Sequence, residues 1–517
     1  MLINQEVNKL RNLIKNSFRV RANHDPIYVD FGGGFQRFSS QQHQVLFGRR
    51  GSGKSCLLIH FMKENEKSKS KIIYIGIDEI KKLGFPDILI RLLLSIFEEM
   101  PRAEKKKWVP WSSPLQKTVR ELRLLLDEPE TAQTSRTDSA SSDAGAGFEG
   151  KSPISAKISR QRETETVKEF TSKKLDQIER HLQDYKKVLK SIHKDGNTKS
   201  FVLVDDFYLI NREIQPDVAD YLHRLCRDTD FYLKIATIRH RTSLRKHNGQ
   251  TIGLELTQDV EEISLDKTFE NFEATHNYLH AMLQGMADRA WPGLQAASLF
   301  NPDASRALSL ASGGVPRDFL NIFVDAIDLA VQAGKTDRVT PTFVYKASSL
   351  HSYKSKLANI KEEAGVDSPD LERLYSDLLA FCLKEKRKTA FLIRRDEVQQ
   401  FPYEHELLQQ LMDFKLIHII DQNTSAASGR SGRYAAYTLD FSIFMEPRLR
   451  NIEIVEFWKT DQQRRPVGIR ESPEYSLRRA HDLLSGESVQ ANAEDIVESI
   501  DIDQNAVLPD TSEPAPI

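Results

Sequence analysis

Short runs of branched and aromatic residues, "QVLF" at 44–47, "KIIYIGIDEI" at 71–80, "SFVLVDDFYLI" at 200–210 and "FYLKIATIRH" at 231–240, punctuate the chain. Their near-continuous apolar content predicts strands buried on both faces. Helical periodicity lies between them, as in the apolar segment near 86–100. Strands alternating with helices predict a parallel sheet covered on both sides, an α/β core over 41–267 that follows an N-terminal arm at 1–40.

The interval between the second and third strands is long and reads as an insertion over 101–198. Leu115, Val119, Leu122 and Leu126, then Leu175, Ile178, Leu182, Tyr185, Leu189 and Ile192, recur at spacings of three and four. These are heptad seams, and they predict a helical hairpin whose second arm runs from about 166 to 193. A helix packed on the core is the competing reading. The stretch 128–162 is polar and rich in small residues, and is expected to be disordered. Lys173, Lys174, Arg180, Lys186, Lys187 and Lys190 are expected on the outer face of the second arm.

Helical patterns then dominate 268–352, an expected helical lid, with Gly334 as a C-cap and Thr340 before Pro341 as an N-cap. Residues 367–447 show a helix, an apolar segment, a second helix and two strands joined by "NTSAASGRSG", the order of a winged helix. No Lys or Arg follows Arg479, and 466–517 is expected to be a disordered acidic tail.

Composition adds limits. The 517 residues carry 73 Lys and Arg against 74 Asp and Glu, so no global field draws the chain to nucleic acid or anionic lipid. Cys56, Cys226 and Cys382 are too dispersed for a disulfide framework or metal cluster, which fits a cytoplasmic protein. No apolar run is long enough for a bilayer, so no membrane partner is expected.

The chemistry concentrates in "GRRGSGKS", which matches G-x-x-x-x-G-K-[ST] between a strand and a helix. Gly48, Arg49, Arg50, Gly51, Ser52, Gly53, Lys54 and Ser55, with Cys56, are the expected nucleotide-binding residues. Their backbone N–H groups and the following helix favour a bound phosphate chain. Lys54 is expected at the β and γ phosphates and Ser55 on Mg²⁺. Asp205 ends an apolar strand, where a carboxylate can hold Mg²⁺ through water, and Asp206 would take a proton from the attacking water. A helix N-cap is the alternative for this pair.

The order of P-loop, "VLVDD", "KIATIRHRT", "SGGVPRDFL" and winged helix resembles the AAA+ and STAND groups of P-loop ATPases, nearest to origin-recognition-like prokaryotic ATPases. The resemblance covers about 40–447 without the insertion. It implies a polar sensor at Thr237 and Arg239, a proline of the STAND motif at Pro316, and the second sensor of AAA+ proteins at Arg317. Thr237 also reads as a packed strand residue, and Arg317 as a surface arginine in a turn. Arg241 and Arg245 are arginine-finger candidates by position alone. The resemblance further implies ATP and Mg²⁺ as cofactors, a nucleotide-dependent homo-oligomer, a protein effector, and a switch in a prokaryotic defence or signalling system. A DNA-binding initiator or loader is the alternative, with nucleic acid met through the wing and the hairpin. The helix "YEHELLQQLMDF" is acidic on balance, which argues against base readout by it. AAA+ motors place Glu where Asp206 stands, so hydrolysis is expected to be slow, below about one turnover per second.

Overall fold

A computed structural model describes residues 1–18, 27–30, 33–66, 68, 70–100, 113–127, 153–192, 198–350, 356, 358, 360, 368–427, 431–445, 451–461 and 466–486. The chain divides into two units. One comprises Gly34–Phe47 and Leu57–Ser264, and the other Met1–Gly33, Gly48–Cys56 and Leu265–Ile517.

The first unit is an α/β layer. Strands β1 (Gln44–Phe47), β2 (Ile72–Gly76), β3 (Ser200–Asp205) and β4 (Phe231–Thr237) form where the apolar runs place them. A hairpin of β5 (Arg245–Asn248) and β6 (Gln250–Gly253) follows, then β7 (Glu261–Ser264). The parallel sheet has the order β2-β3-β4-β1-β7. Strand β7 escapes the apolar pattern because it lies at the sheet edge and buries only Ile263. Phe47 pairs with Thr237, and Val204 pairs with Ile235. The register therefore brings β1, β3 and β4 to an end at one edge, and there the chain runs from Phe47 into Gly48.

Lys234, fully buried in β4, fixes the approach to β1. Its Nζ donates to Phe38 O at 2.7 Å and Ser40 O at 2.9 Å. A buried ammonium persists only with such acceptors around it.

The insertion holds two helices, Pro114–Asp127 and Pro153–Ile192. The heptad seam faces the core. Ile178, Leu182, Tyr185 and Leu189 join Leu122 and Leu125 in the buried cluster of this unit, and the Tyr221 hydroxyl donates to Ile178 O at 2.8 Å. The second helix has 40 residues, about 60 Å, and begins inside the stretch expected to be disordered. Polar composition opposes burial but not helix propagation, which is cheap once an anchored segment has nucleated it. Residues 128–152 lie outside the described ones. Lys174 is also not on the outer face. It is buried, with Nζ 2.8 Å from Asp87 Oδ1.

The second unit contains a helical layer and an α+β module. Helices Phe272–Ala290, Pro302–Ala311, Pro316–Gln332 and Pro341–Leu350 occupy the expected lid. Two start on asparagine caps, Asn271 accepting from Ala274 N at 3.0 Å and Asn301 from Ala304 N at 2.8 Å. The N-terminal helix Gln5–Ser17 belongs with them. Its Val7, Leu10 and Ile14 share a core with Leu279, Leu283 and Phe323, so much of the expected arm packs into the helical layer.

In the module, β8 (Ala390–Arg394), β9 (Ile417–Thr424) and β10 (Tyr434–Leu439) form an antiparallel sheet in the order β8-β10-β9. Helices Ser368–Leu379 and Pro402–Asp413 share its core. The chain then returns along β8: Leu392 N donates to Pro473 O and Tyr475 N to Leu392 O, each at 2.8 Å. Helix Leu477–Ser485 ends the described part. Tyr475, Leu477 and Ala480 are fully buried, and Arg479 reaches both Asp377 and Glu385 at 2.7 Å. The disorder expected from 466 therefore does not hold over 466–486, because these few apolar anchors and one arginine fork outweigh the polar average around them. Residues 487–517 lie outside the described ones. Among the described residues no helix is long and apolar enough to cross a membrane.

Candidate nucleotide site

The P-loop leaves β1 at Gly48 and enters the helix Lys54–Glu64 at Lys54. Lys54 is buried, and its Nζ donates to Gly48 O at 2.6 Å and Arg49 O at 3.2 Å, which draws the loop around the ammonium. Ser52 Oγ is buried with no hydrogen-bond partner among the described residues. Arg50 is exposed, Ser55 half-buried in the first helical turn. Cys56 Sγ lies 3.5 Å from Ile27 O, and burial pushes its thiol up to about 12, so it stays a neutral thiol.

Arg49 has a task that its place in the motif does not reveal. It is buried, and its backbone N and Nε donate to Asp266 Oδ1 at 2.8 and 3.3 Å. Nη2 donates to Lys267 O at 2.9 Å and to Gly313 O at 3.1 Å. The guanidinium thus ties the P-loop to the turn that opens the helix Pro316–Gln332.

That turn, Ser312–Asp318, is crowded from two sides. Gly51 takes φ +91°, and a Cβ there would lie 2.9 Å from Arg317 Cβ. Its carbonyl accepts from Arg317 N at 3.3 Å. On the module side, Gly313 takes φ +59°, and a Cβ there would lie 2.4 Å from His418 Cε1. Lys415 Nζ is 2.7 Å from Asp318 Oδ2. Pro316 is buried at the first position of the helix, and between these contacts the partly exposed Arg317 guanidinium has no hydrogen-bond or ion-pair partner among the described residues.

His418 stands on a buried acid. Its Nε2 is 2.8 Å from Asp440 Oδ2, and Lys356 Nζ is 2.7 Å from Asp440 Oδ1. Burial alone would raise the Asp440 carboxyl, but Lys356 and His418 hold it well below the usual range. Burial lowers His418 and also lowers Lys415 against the pull of Asp318.

At the sheet edge of the other unit, Asp205 is 2% exposed. Its Oδ2 accepts from the Tyr74 hydroxyl at 2.8 Å and its Oδ1 from Asp206 N at 2.9 Å. Asp206 takes a left-handed φ of 54°, uncommon for a side-chain-bearing residue and a form of strain that gathers at functional sites. Thr237 is fully buried at the end of β4, its hydroxyl shared with that of Thr242. Arg239 stacks over the Phe47 ring at 4.1 Å and pairs with Glu262. Of the finger candidates, Arg241 lies over the Tyr208 ring at 4.8 Å and Arg245 is 3.4 Å from Glu255.

The structure thus gathers Gly48 to Cys56, Pro316 and Arg317 in one unit, and Asp205, Asp206, Thr237 and Arg239 at one edge of the other. Sequence reasoning missed Tyr74, Asp266, Lys415 and His418. Only the polar Tyr74 inside an apolar strand offered a local signal. No group of three or more His, Cys, Asp or Glu side chains fit to hold a metal occurs among the described residues. Ser55 in one unit offers a hydroxyl and Asp205 in the other a carboxylate, each by itself a ligand type that Mg²⁺ accepts, since this ion takes few protein ligands and completes its shell with water and substrate phosphates.

No family model matches the sequence, and no curated protein matches it as a relative. Solved structures align with it over most of their length. Drosophila ORC bound to DNA aligns over 85% of this chain and 90% of its own at 12% identity and a TM-score of 0.35. Aeropyrum pernix ORC1 in complex with DNA aligns over 85% and 90% at 13% identity and a TM-score of 0.30. A Walker-type ATPase of Pyrococcus abyssi aligns over 84% and 96% at 12% identity and a TM-score of 0.34. At such values no residue role passes from them to this chain.

Proposed function

We propose that this protein is a Mg-ATP-dependent conformational switch with slow hydrolysis. One observation carries the reading: the turn Ser312–Asp318 touches the P-loop through Gly51 and Arg49 and the C-terminal module through His418 and Lys415. A phosphate chain on the P-loop meets Lys54, the loop N–H groups and Arg317, whose guanidinium is unpaired among the described residues. Any shift of Arg317 toward it is passed to Asp318 and so to Lys415. The module, which we read as a winged helix, is the part that responds.

Ser55 and Asp205 would hold Mg²⁺, which when bound offsets the charge of the β and γ phosphates. Asp206 takes the proton of the attacking water. Its side chain, one methylene shorter than glutamate, reaches less far, and a displacement of about 1 Å costs on the order of 10²-fold in rate. Thr237 and Arg239 are the sensor of the sheet edge. The setting we assign is the one the resemblance implies, a prokaryotic defence or signalling system with a homo-oligomer and a protein effector.

Titration with fluorescent ADP and ATP analogues tests the site. Lys54→Ala is expected to weaken binding by about 10²-fold or more, and intact binding in this variant would remove the active-site assignment. Mass measurements of the wild-type protein in ADP and in a nonhydrolysable ATP analogue, each with and without DNA, then separate the readings. Nucleotide-dependent assembly without DNA favours the switch, and DNA affinity falling steeply with salt favours the initiator alternative.

A further inference from the structure

Asp205 is the carboxylate that the reading above assigns to Mg²⁺, and its surroundings name a residue with no part in that reading so far. Both of its oxygens are engaged before any ligand is considered. Oδ1 accepts the backbone N–H of Asp206, and Oδ2 accepts the phenol of Tyr74 on the neighbouring strand. The parallel register pairs Tyr74 with Leu203 and Gly76 with Asp205, so the phenol reaches forward by two register positions to the carboxylate. Room at this edge is limited: a Cβ on Gly76 would lie 2.8 Å from Asp78 Oδ1 and 3.9 Å from Tyr74 Cε1.

We infer that the Tyr74 hydroxyl is a positioning group which fixes the Asp205 carboxylate plane, and thereby sets the Mg²⁺ dependence of nucleotide binding. The inference rests on the nucleotide reading of the P-loop. A carboxylate held at both oxygens cannot rotate about its Cβ–Cγ bond, so its remaining lone pairs keep one direction. Without the phenol, Oδ2 is a buried acceptor with no donor, and the group turns to find one. Burial first, and then the charges of Asp205, Asp206 and Asp78, raise the Tyr74 phenol far above its ordinary range, so it donates at every working pH. It takes no proton and touches no reacting atom.

The test uses the full-length protein with Tyr74→Phe, which removes one oxygen and keeps the ring, and with Tyr74→Gln, which restores a donor on a shorter chain. Fluorescent ADP is titrated first in chelator and then at rising MgCl₂. The wild type is expected to show metal-free binding that Mg²⁺ strengthens to a defined midpoint. Tyr74→Phe is expected to keep the metal-free affinity and to move the Mg²⁺ midpoint upward by about 10-fold, the low end of outer-shell effects. Tyr74→Gln is expected to fall between the two. An unmoved midpoint in Tyr74→Phe overturns the inference, and so does an equal loss with and without metal, which marks a packing role. A wild type that binds no nucleotide at all overturns the P-loop reading and this inference together, and is distinguished from the other failures by the wild-type curve alone.

Discussion

Gly313 shows how far a single residue constrains this molecule. Its left-handed φ of 59° disfavours any side chain, and His418 Cε1 occupies the space a Cβ needs. Gly313→Ala should therefore cost about 1–3 kcal/mol from backbone strain and overpacking, read as a lower thermal midpoint. A midpoint equal to the wild type would show that the module does not press on this turn. "GGVPR" invites attention as a string, but the reason for its first glycine lies about a hundred positions further along the chain. Local motifs of this kind are legible because their chemistry is contiguous. P-loop glycines, the Lys54–Ser55 pair and the Asp205–Asp206 pair all fall within single short windows. Tyr74, Asp266, Lys415 and His418 act through partners remote in sequence, and no local window shows such pairings.

Elements were legible in proportion to how much apolar surface each buries. β1, β3 and β4 bury nearly every residue and β2 alternates buried with half-buried positions, and all four are legible, whereas β7 buries one residue and is not. The strap through Tyr475 to Ser485 was hidden for a related reason, since polar composition averaged over a long tail conceals three anchors.

The helical layer offers an element-scale prediction of its own. His280 on the helix Phe272–Ala290 is packed against His276, with ring centroids 4.4 Å apart, and its Nε2 is 3.0 Å from Ser305 Oγ. Burial first, then His276, lowers His280 to about 4 from its usual 6.5. The folded layer therefore keeps it neutral where the unfolded chain binds a proton. That contribution is complete above pH 6.5 and is lost as the pH falls from 6.5 toward 4. Thermal midpoints should decline over this window in the wild type and decline less in His280→Gln. Parallel pH profiles for the two proteins would rule the histidine out as the cause.

At the scale of the whole molecule, the question is whether the nucleotide end and the C-terminal module share free energy. The contacts that would carry it lie within one unit: Gly51 to Arg317, Arg49 to Gly313, Gly313 to His418, and Asp318 to Lys415. Among them the Lys415–Asp318 pair is the part that can be cut with least damage. Asp318→Asn keeps the shape and removes the charge. Lys415 takes φ +64°, which asparagine tolerates better than most residues, so Lys415→Asn makes the reciprocal cut. If the pair holds the module against the nucleotide turn, either variant should release fluorescent ADP faster by about 10-fold, inside the usual range of coupling between sites. The double variant should release it no faster than the stronger single, because both changes break one interaction and their effects do not add. Stopped-flow release rates decide the matter. Unchanged rates in both single variants would mean that the module sits on the turn without governing it, and the switch would then have to work through the sheet edge alone.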